Sequence, residues 1–379
     1  MREVIVIGAG PVGLLLAGEL ARRGVDVQLL ERRAQPGPGS RAIGLHAPVL
    51  AALEPSGITE HLLAEAVRVP RGEARAAGRT LGVVRFDRLG TRFPFVATQP
   101  QSATEQVFAA LTPVSTRGFT VTAVAPRRDL VVVHGMHEGT PTEVTARLVV
   151  VSTGVSGRQL AYRPGAVPTR AYRDRYLMAD TAFDAGPDAA VAVVYLDRTG
   201  VLESFPLPQG RRRFVAWDPD PGDDAPAARA ERLGRLIAAR GGSAAPGPIE
   251  AVGFGVRRFV APRLRNGRLL VVGDAAHEVS PIGGQGMNLG LMDAVGLAPL
   301  LAEWLRTGEA PEDALHHWER RRVTSARRAA GLAGANTRLG RPLSPAANTL
   351  RCGTIRLALA APSRHLLAHA YSMGFDTGT

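Results

Sequence analysis

The apolar positions at both ends of the chain follow the order of a parallel α/β domain. Helical spacing follows the first of these runs, at residues 14–23, and resumes from Met287, where Leu291, Val295 and Ala298 share one face. We therefore predict a parallel α/β domain built from both ends of the chain. Its buried strands are the short apolar runs at 4–7, 25–30, 148–151 and 268–272.

Between these ends the pattern changes to short strand-like runs, which predict an inserted, mostly antiparallel β-sheet. The predicted strands of this insertion are 176–183, 190–196, 201–206, 213–217 and 249–260. Before this insertion we predict a helix from 40–46 through 53, short strands or a flap at 67–95, and a small antiparallel group at 119–125, 130–134 and 144–147. After it we predict terminal helices at 312–339 and 355–371. The predicted domains are 1–168 with 260–305, then 169–259, then a helical segment at 306–379.

The first predicted strand leads into a glycine-rich turn, Gly8-Ala-Gly10-Pro11-Val12-Gly13, and the second ends at Glu31. Glycines in this position permit a tight turn and the close approach of a pyrophosphate, while the acid binds ribose hydroxyls. Glu31 favours the free ribose of FAD or NAD. The adjacent Arg32 and Arg33 leave a 2′-phosphate open.

A second glycine-dense loop follows the predicted strand at 268–272. It begins with Gly273 and Asp274 and continues through Pro281, Gly283, Gly284 and Gly286 into the helix at Met287. Such a loop presents bare amide groups at a helix N-terminus, where they attract an electron-rich ligand. We therefore predict the second half of a cofactor site here. The loop at 152–157, with Gly154, is a further possible ligand loop.

Composition excludes several classes of function. All 46 basic residues are arginine, so mechanisms that depend on a lysine are excluded. The net charge is +12, but the arginines are dispersed and aromatic residues make up only 5%, which favours a solvated surface over nucleic-acid binding. The single cysteine, Cys352, indicates a reducing compartment, and no apolar run reaches the length of a membrane span. We expect a cytoplasmic protein without metal, since the nine histidines show no ligand spacing.

Taken together, these segments resemble class A flavoprotein monooxygenases, the family of p-hydroxybenzoate hydroxylase and the aromatic polyketide hydroxylases. The resemblance covers residues 4 to 305 and is most specific in Gly273-Asp-Ala-Ala-His277 with its continuation to Asp293. The other segments that carry it are 8–13 with Glu31, Ser40-Arg41 to His46, and Gln101 to Glu105. It implies a Rossmann-like FAD-binding domain with an inserted β-sheet substrate domain and C-terminal helices.

The resemblance also implies roles for individual residues. The turn at 8–13 would approach the FAD pyrophosphate, Glu31 would hold the adenosine ribose, and Pro281 would lie beside the isoalloxazine ring. The full predicted cofactor set is Gly8, Gly10, Pro11, Val12, Gly13, Glu31, Arg32, Arg41, Gln101, Gly154, Gly273, Asp274, Pro281, Gly284, Gly286, Met287 and Asn288. The predicted catalytic set is Arg41, His46 and Pro281, with His277 as a further candidate base.

The implied activity is hydroxylation of an aromatic or polyketide-like molecule with NAD(P)H and O2, through a flavin C4a-hydroperoxide. One position departs from the family pattern, because Thr153 stands where an Asp is expected before Gly154. A flavin-dependent reductase without oxygen transfer, or a degenerate FAD-binding protein with impaired NAD(P)H reduction, therefore remain alternatives. A flavin halogenase would need a lysine. We expect a monomer or homodimer. Tyr195, Phe205 and Trp217 are candidate walls of the substrate pocket, but alternate positions of a strand face opposite sides, so packing in the core is the favoured interpretation for each.

Overall fold

A computed structural model describes residues 1–37, 42–113, 115–182, 186–220, 222, 224–241, 249–360 and 364–373. The strands, in chain order, are β1 Arg2–Ile7, β2 Val27–Glu31, β3 Gly44–Leu45, β4 Val67–Val69, β5 Arg71–Ala76, β6 Arg79–Arg85, β7 Val96–Thr98, β8 Thr116–Arg117, β9 Phe119–Pro126, β10 Val131–His137, β11 Thr140–Val151, β12 Arg170–Ala182, β13 Val191–Asp197, β14 Gly200–Leu207, β15 Arg211–Trp217, β16 Val252–Val260, β17 Arg265–Asn266, β18 Leu269–Val271 and β19 His277–Glu278. The α-helices are α1 Pro11–Ala21, α2 Ala47–Leu53, α3 Ile58–Leu63, α4 Gln101–Ala110, α5 Pro226–Gly241, α6 Gly286–Thr307, α7 Glu312–Leu339, α8 Pro345–Ala360 and α9 Arg364–Tyr371.

The first sheet contains the buried apolar runs from both ends of the chain. Its order is β17-β18-β11-β1-β2-β8, and β10 and β9 extend it from β11. The pairs β18–β11, β11–β1, β1–β2 and β2–β8 are parallel. Residues 4–6 and 148–151 are 0% exposed, which is the burial that a parallel sheet covered on both faces requires. The predicted Rossmann-like arrangement is confirmed.

The second sheet has the order β19-β16-β12-β15-β14-β13-β5-β6. Its pairs are antiparallel except for β13 and β5, so the predicted mostly antiparallel insertion is confirmed. Strands β5 and β6 come from the segment at 67–95, for which short strands or a flap were predicted. The sheet therefore also includes strands from outside residues 169–259.

Each face of the second sheet carries its own apolar cluster, because side chains alternate along a strand. One face packs on α5 through Leu177, Leu202, Phe214 and Ala216, together with Leu233 and Ile237 of the helix. The opposite face, which we call the inner face, carries Tyr176, Met178, Val201, Val215 and Val256. Ile282 and, from α8, Cys352 and Ile355 pack against the inner face.

Several boundaries differ from the predictions, and β12, for example, begins at Arg170 and not at residue 176. Residues 144–147 and 148–151 form one strand, β11, which continues from an antiparallel hairpin into the parallel sheet. The helix predicted from 40–46 begins only at Ala47, because Gly44 and Leu45 pair with β7 as a strand. The helix predicted at 355–371 is described as α8 and α9, and residues 361–363 between them lie outside the described part.

In the ranges described above, no helix is long and apolar enough to cross a membrane. The same ranges contain no group of three His, Cys, Asp or Glu side chains arranged to hold a metal ion.

Candidate cofactor and substrate site

The turn between β1 and α1 is packed so closely that two of its glycines have no room for a side chain. A Cβ on Gly13 would lie 1.9 Å from the carbonyl oxygen of Gly8, and one on Gly8 would lie 2.7 Å from that of Ser152. Gly8 also has a φ of +106°. A Cβ on Gly10 would meet nothing within 4 Å. Gly8 and Gly13 therefore hold the strand against the helix, while Gly10 leaves open the space before the N-terminus of α1.

Glu31, at the end of β2, is fixed beside this open space. Its carboxylate accepts hydrogen bonds from the Ala9 amide at 2.8 Å and from the Arg33 amide at 2.9 Å. Burial alone would raise the pKa of Glu31, but these bonds and the Arg33 guanidinium hold it below its usual value. Glu31 is therefore ionised at neutral pH and can accept bonds from ribose hydroxyls. The neighbouring Arg32 is exposed.

The N-termini of α1 and α6 converge on the same region. Val12 of α1 lies against two glycines: a Cβ on Gly290 would be 2.6 Å from its Cγ2, and one on Gly273 would be 3.2 Å from it. The Asp274 carboxylate lies close to the start of α6, since a Cβ on Gly286 would be 4.0 Å from its Oδ1. Two helix N-termini therefore present their positive dipole ends to one region. The sequence predicted both halves, and the packing brings them together.

Asn288 fastens the loop at 281–285 to the segment before α2. Its side-chain oxygen accepts a bond from the His46 amide at 2.9 Å, and its amide nitrogen donates to the Gly44 carbonyl at 2.8 Å. The same nitrogen donates to the Gly284 carbonyl at 3.3 Å. The Asn288 side chain is 0% exposed, so it positions the loop. The backbone at the start of α6 is left to face a ligand.

The His46 ring holds the same loop. Its pKa is lowered to about 4 by burial, which a hydrogen bond to the Gly284 carbonyl only partly offsets. Within the described ranges its Nδ1 has no partner. The ring is therefore neutral at pH 7, and its observed contact is with the loop. Its predicted catalytic role stays a prediction.

Behind Gly273 lies a buried ionic cluster that sequence reasoning missed. Asp293 accepts bonds from His277 Nε2 at 2.6 Å, from the Gly273 amide at 3.0 Å and from Arg322 Nε at 2.9 Å. Burial would lower the pKa of His277, but Asp293 overcomes this effect and raises it. His277 is thus engaged in an ion pair. The sequence offered one signal for this cluster, since Asp293 is the last residue of the segment from Gly273 that carries the family resemblance. No sequence pattern indicated Arg322 as its partner.

Arg158 is a second residue that the sequence did not single out. It follows Gly154, where φ is +66°, in the short 3-10 helix at Val155–Leu160. Its guanidinium donates to the carbonyl of Asp274 at 2.9 Å and lies 3.6 Å from the centre of the Phe259 ring. Arg158 therefore ties the loop after β11 to the turn that carries Asp274. The predicted ligand loop at Gly154 is thus in contact with the second cofactor half.

The other predicted residues occupy different positions around the site. Gln101 begins α4, where it accepts from the Ala42 amide at 3.3 Å and donates to Glu105 at 2.8 Å. Pro281 is exposed, and Met287 is 9% exposed at the start of α6. Arg41, predicted for both the cofactor and the catalytic set, lies outside the described residues.

Two of the three candidate pocket walls lie on the inner face. Trp217 packs in the inner-face cluster, and Phe205 shares that face because it stands two residues from Glu203, which pairs with Val215. Tyr195 instead packs with the cluster on α5. For Tyr195 the favoured alternative of core packing is confirmed, because the register of β13 directs its side chain to the opposite face.

These features suit FAD. The open space at Gly10, the ionised Glu31 and the N-terminus of α1 match a pyrophosphate and its adjoining ribose. The N-terminus of α6 matches a ring system that gains negative charge on reduction. Asp274 lies between these two ends of the site.

Comparisons with known proteins agree with this geometry. A family model described as FAD binding domain matches residues 1–333. The chain is 33% identical to a 6-methylpretetramide 4-monooxygenase of Streptomyces rimosus, over 85% of this chain and 59% of that relative. It therefore spans about three fifths of that relative's length.

Solved structures show the same fold. An anhydrotetracycline hydroxylase from Streptomyces rimosus has a TM-score of 0.79 at 30% identity, covering 98% of this chain and 76% of the other. A p-nitrophenol 4-monooxygenase from Pseudomonas putida has a TM-score of 0.90 at 22% identity, covering 100% of this chain and 98% of the other. The chain belongs to the FAD binding domain family, and its resemblance to the class A flavoprotein monooxygenases is confirmed.

Proposed function

We propose that this protein is an FAD-dependent monooxygenase that uses NAD(P)H and O2 to hydroxylate an aromatic or polyketide-like molecule. The observation that carries the proposal is the contact between the inner face and the loop at 281–285. Ile282 of that loop is 3% exposed and packs in the inner-face cluster with Tyr176 and Met178. An apolar surface suited to an aromatic ring thus adjoins the end of the site where the isoalloxazine would lie.

Bound FAD would accept hydride from NAD(P)H and activate O2. The chain's own contribution is to bind and orient. The amides at the start of α6 favour negative charge on the ring, and Asn288 and His46 hold the loop that faces it. The inner face excludes water and positions the substrate ring. We assign pyrophosphate binding to the turn at 8–13, and we keep Pro281 and Arg41 as proposed contacts of the ring.

The names of the relatives support this substrate class. The relatives act, by name, on 6-methylpretetramide and anhydrotetracycline. Both identities are at least 30%, and the two matches cover 85% and 98% of this chain. We therefore propose a polycyclic or phenolic substrate.

The test is anaerobic stopped-flow reduction of the FAD-loaded protein by NADPH and by NADH, with and without phenolic compounds, followed by turnover under ¹⁸O2. Substrate-stimulated loss of flavin absorbance and one ¹⁸O atom in the product are expected. Reduction without isotope incorporation would indicate a reductase instead. Failure of both NADPH and NADH to reduce the flavin would contradict the proposal. Thr153 would then be the expected cause, and the Thr153→Asp variant should accelerate reduction.

We further propose that the protein acts as a monomer or homodimer in the cytoplasm, in line with its single cysteine. Residues 1–168 with 260–305 would form the cofactor domain, 169–259 the core of the substrate domain and 306–379 the helical segment. Light scattering of the FAD-loaded protein measures the oligomeric state, and a tetramer would contradict this assignment.

A further inference from the structure

One level of the second sheet is apolar except for a single carboxyl group. Strand pairing aligns, from β16 to β6, the residues Val252, Met178, Val215, Glu203, Val194, Ala74 and Gly82. Residues aligned in this way project to the same face, and Met178 and Val215 belong to the inner-face cluster. Glu203 therefore projects from the inner face, in the middle of an apolar row.

Glu203 is 6% exposed and, among the residues that the structure describes, has no hydrogen-bond or ion-pair partner. The neighbouring carboxylates of β12 do have partners. Asp180 is bound by Arg213 at 2.6 and 2.7 Å, and Asp174 by Arg341 at 2.7 Å. Since buried carboxyl groups are ordinarily paired, Glu203 is the exception on this face.

A second polar group on the same face is also unsatisfied. The Tyr176 hydroxyl is buried and lacks a partner in the described part of the chain. Burial raises the pKa of Tyr176 and of Tyr371, and the Glu203 carboxylate adds to each shift because it would repel the phenolate. Tyr176 lies on the same inner face as Glu203, so these groups share one region of the protein. Tyr371 already donates to Asn336 Oδ1 at 2.8 Å, which leaves Glu203 and Tyr176 for a ligand.

This region adjoins the loop at 281–285. Ile282 packs in the same cluster as Tyr176, and Gln285 donates to the Ala370 carbonyl of α9 at 2.9 Å, one residue before Tyr371. Helix α8 covers the other end of the row, where a Cβ on Gly82 would lie 2.4 Å from the Cβ of Leu359. A ring held between the inner face and the flavin would meet Glu203 and Tyr176 as its polar neighbours.

We infer that Glu203, together with the Tyr176 hydroxyl, is the polar anchor of the substrate pocket and selects a neutral aromatic substrate by hydrogen-bonding its hydroxyl group. A protonated carboxyl group can donate one hydrogen bond and accept another, which matches the two roles of a phenolic hydroxyl. A substrate carboxylate would be buried here without a counter-ion from Arg213 or Arg341, because these nearby arginines are engaged by Asp180 and Asp174. This inference rests on the proposed function for the nature of the ligand.

The test is a binding measurement on the FAD-loaded protein, read as the perturbation of flavin absorbance at pH 7. The probes are 2-naphthol and 2-hydroxyanthracene, each with its methyl ether, and 2-naphthoate. The wild type should bind each hydroxyarene about tenfold or more tightly than its ether and should bind 2-naphthoate most weakly, since a lost hydrogen bond to a buried group costs about this much. Glu203→Leu should reduce the preference for the hydroxyl to below about threefold.

Glu203→Gln and Tyr176→Phe keep the test informative if the Glu203→Leu variant does not fold. The glutamine amide can still donate and accept a hydrogen bond. Glu203→Gln should therefore keep about half or more of the logarithm of the affinity ratio between each hydroxyarene and its methyl ether. Tyr176→Phe removes one hydroxyl and should reduce the preference by about threefold. Glu143→Gln, at an exposed carboxylate on β11, should leave every affinity unchanged.

A wild type that binds the ethers as tightly as the hydroxyarenes, or binds neither, overturns the inference. So does a Glu203→Leu variant with the wild-type preference. These results are separable from the proposed function, because ¹⁸O transfer without a hydroxyl preference removes only the role of Glu203. A hydroxyl preference without ¹⁸O transfer removes only the monooxygenase.

Discussion

Two buried carboxyl groups, Asp293 and Glu203, have pKa values that are shifted in opposite directions. Asp293, behind the cofactor loop, is 0% exposed, and its pKa is lowered because His277, Arg322 and the Gly273 amide outweigh burial. Glu203, on the inner face, is 6% exposed, and burial alone raises its pKa to about 8. Burial is similar in the two places, so the partners decide the charge. Asp293 is thus satisfied by partners within the chain, whereas Glu203 has no partner among the described residues.

The largest effect is expected from Asp293→Asn. The change leaves Arg322 and His277 buried without their carboxylate, which should lower the free energy of unfolding by about 3–5 kcal/mol. Urea denaturation monitored by circular dichroism measures it. Asp313→Asn, an exposed carboxylate near the start of α7, serves as the control and should change stability little. A loss below about 1 kcal/mol would show that the cluster is not a net stabilising ion pair.

The same cluster gives a pH dependence. The folded-state pKa of His277 is raised, so its stabilisation is complete below its unfolded pKa of 6.5 and is lost as the pH rises through the folded value. Asp293 has a lowered pKa, so its stabilisation is present above 3.8 and is lost as the pH falls through the folded value. Wild-type stability should therefore decline as the pH rises above 6.5 more than that of Asp293→Asn. Parallel pH profiles for the two proteins would contradict this.

Gly13→Ala is expected to have the next largest effect. Its Cβ would overlap the Gly8 carbonyl oxygen at 1.9 Å, so β1 and α1 would have to separate, at a cost of about 1–3 kcal/mol. The purified variant should also contain little FAD, measured as the ratio of absorbance at the flavin band to that of the protein. Gly331→Ala in α7, where a Cβ meets nothing within 4 Å, is the matched control and should keep its flavin. Full flavin content in Gly13→Ala would refute the close packing of the turn.

Glu203→Gln should increase stability at alkaline pH. The raised pKa of Glu203 means that its favourable contribution is complete below 4.5 and is lost as the pH rises through about 8. Other charged and titratable groups in this region are Tyr176 and Tyr371, with Asp174–Arg341 and Asp180–Arg213 as ion pairs. The variant should be more stable than the wild type by about 1 kcal/mol at pH 8.5, with a smaller difference at pH 6. A destabilised variant at pH 8.5 would indicate that Glu203 is paired in solution.

The smallest expected effect is a difference in stability between the variants Tyr176→Phe and Tyr371→Phe. Tyr176→Phe removes a buried hydroxyl without a described partner, so stability should stay within about 0.5 kcal/mol of the wild type or rise slightly. Tyr371→Phe removes the donor to Asn336 and should cost about 1 kcal/mol. Thermal unfolding of the ligand-free proteins compares them. An equal loss for both would show that Tyr176 has a partner within the chain.

The local pattern of the sequence was sufficient to predict the two glycine-rich loops and the position of Glu31. The turn at 8–13, Glu31 and the loop from Gly273 to Gly286 are each contained in a short segment, and the element that follows each turn is set by nearby residues. The prediction of secondary structure failed where strand pairing with a distant segment overrides the local helical pattern. Gly44 and Leu45 are a strand because β7 lies beside them, although the segment has helical spacing.

By itself, then, the sequence determined the parallel α/β order, both glycine loops and the family, because these depend on residues close together in the chain. Only the tertiary structure decided that Asp293 meets Arg322, that Tyr195 faces α5, and that Glu203 stands unpaired within an apolar row. Each of these depends on strand register or helix packing between distant segments. Side chains alternate along a strand, so a register shifted by one residue would move every side chain to the opposite face, and no local pattern specifies which face packs against Ile282.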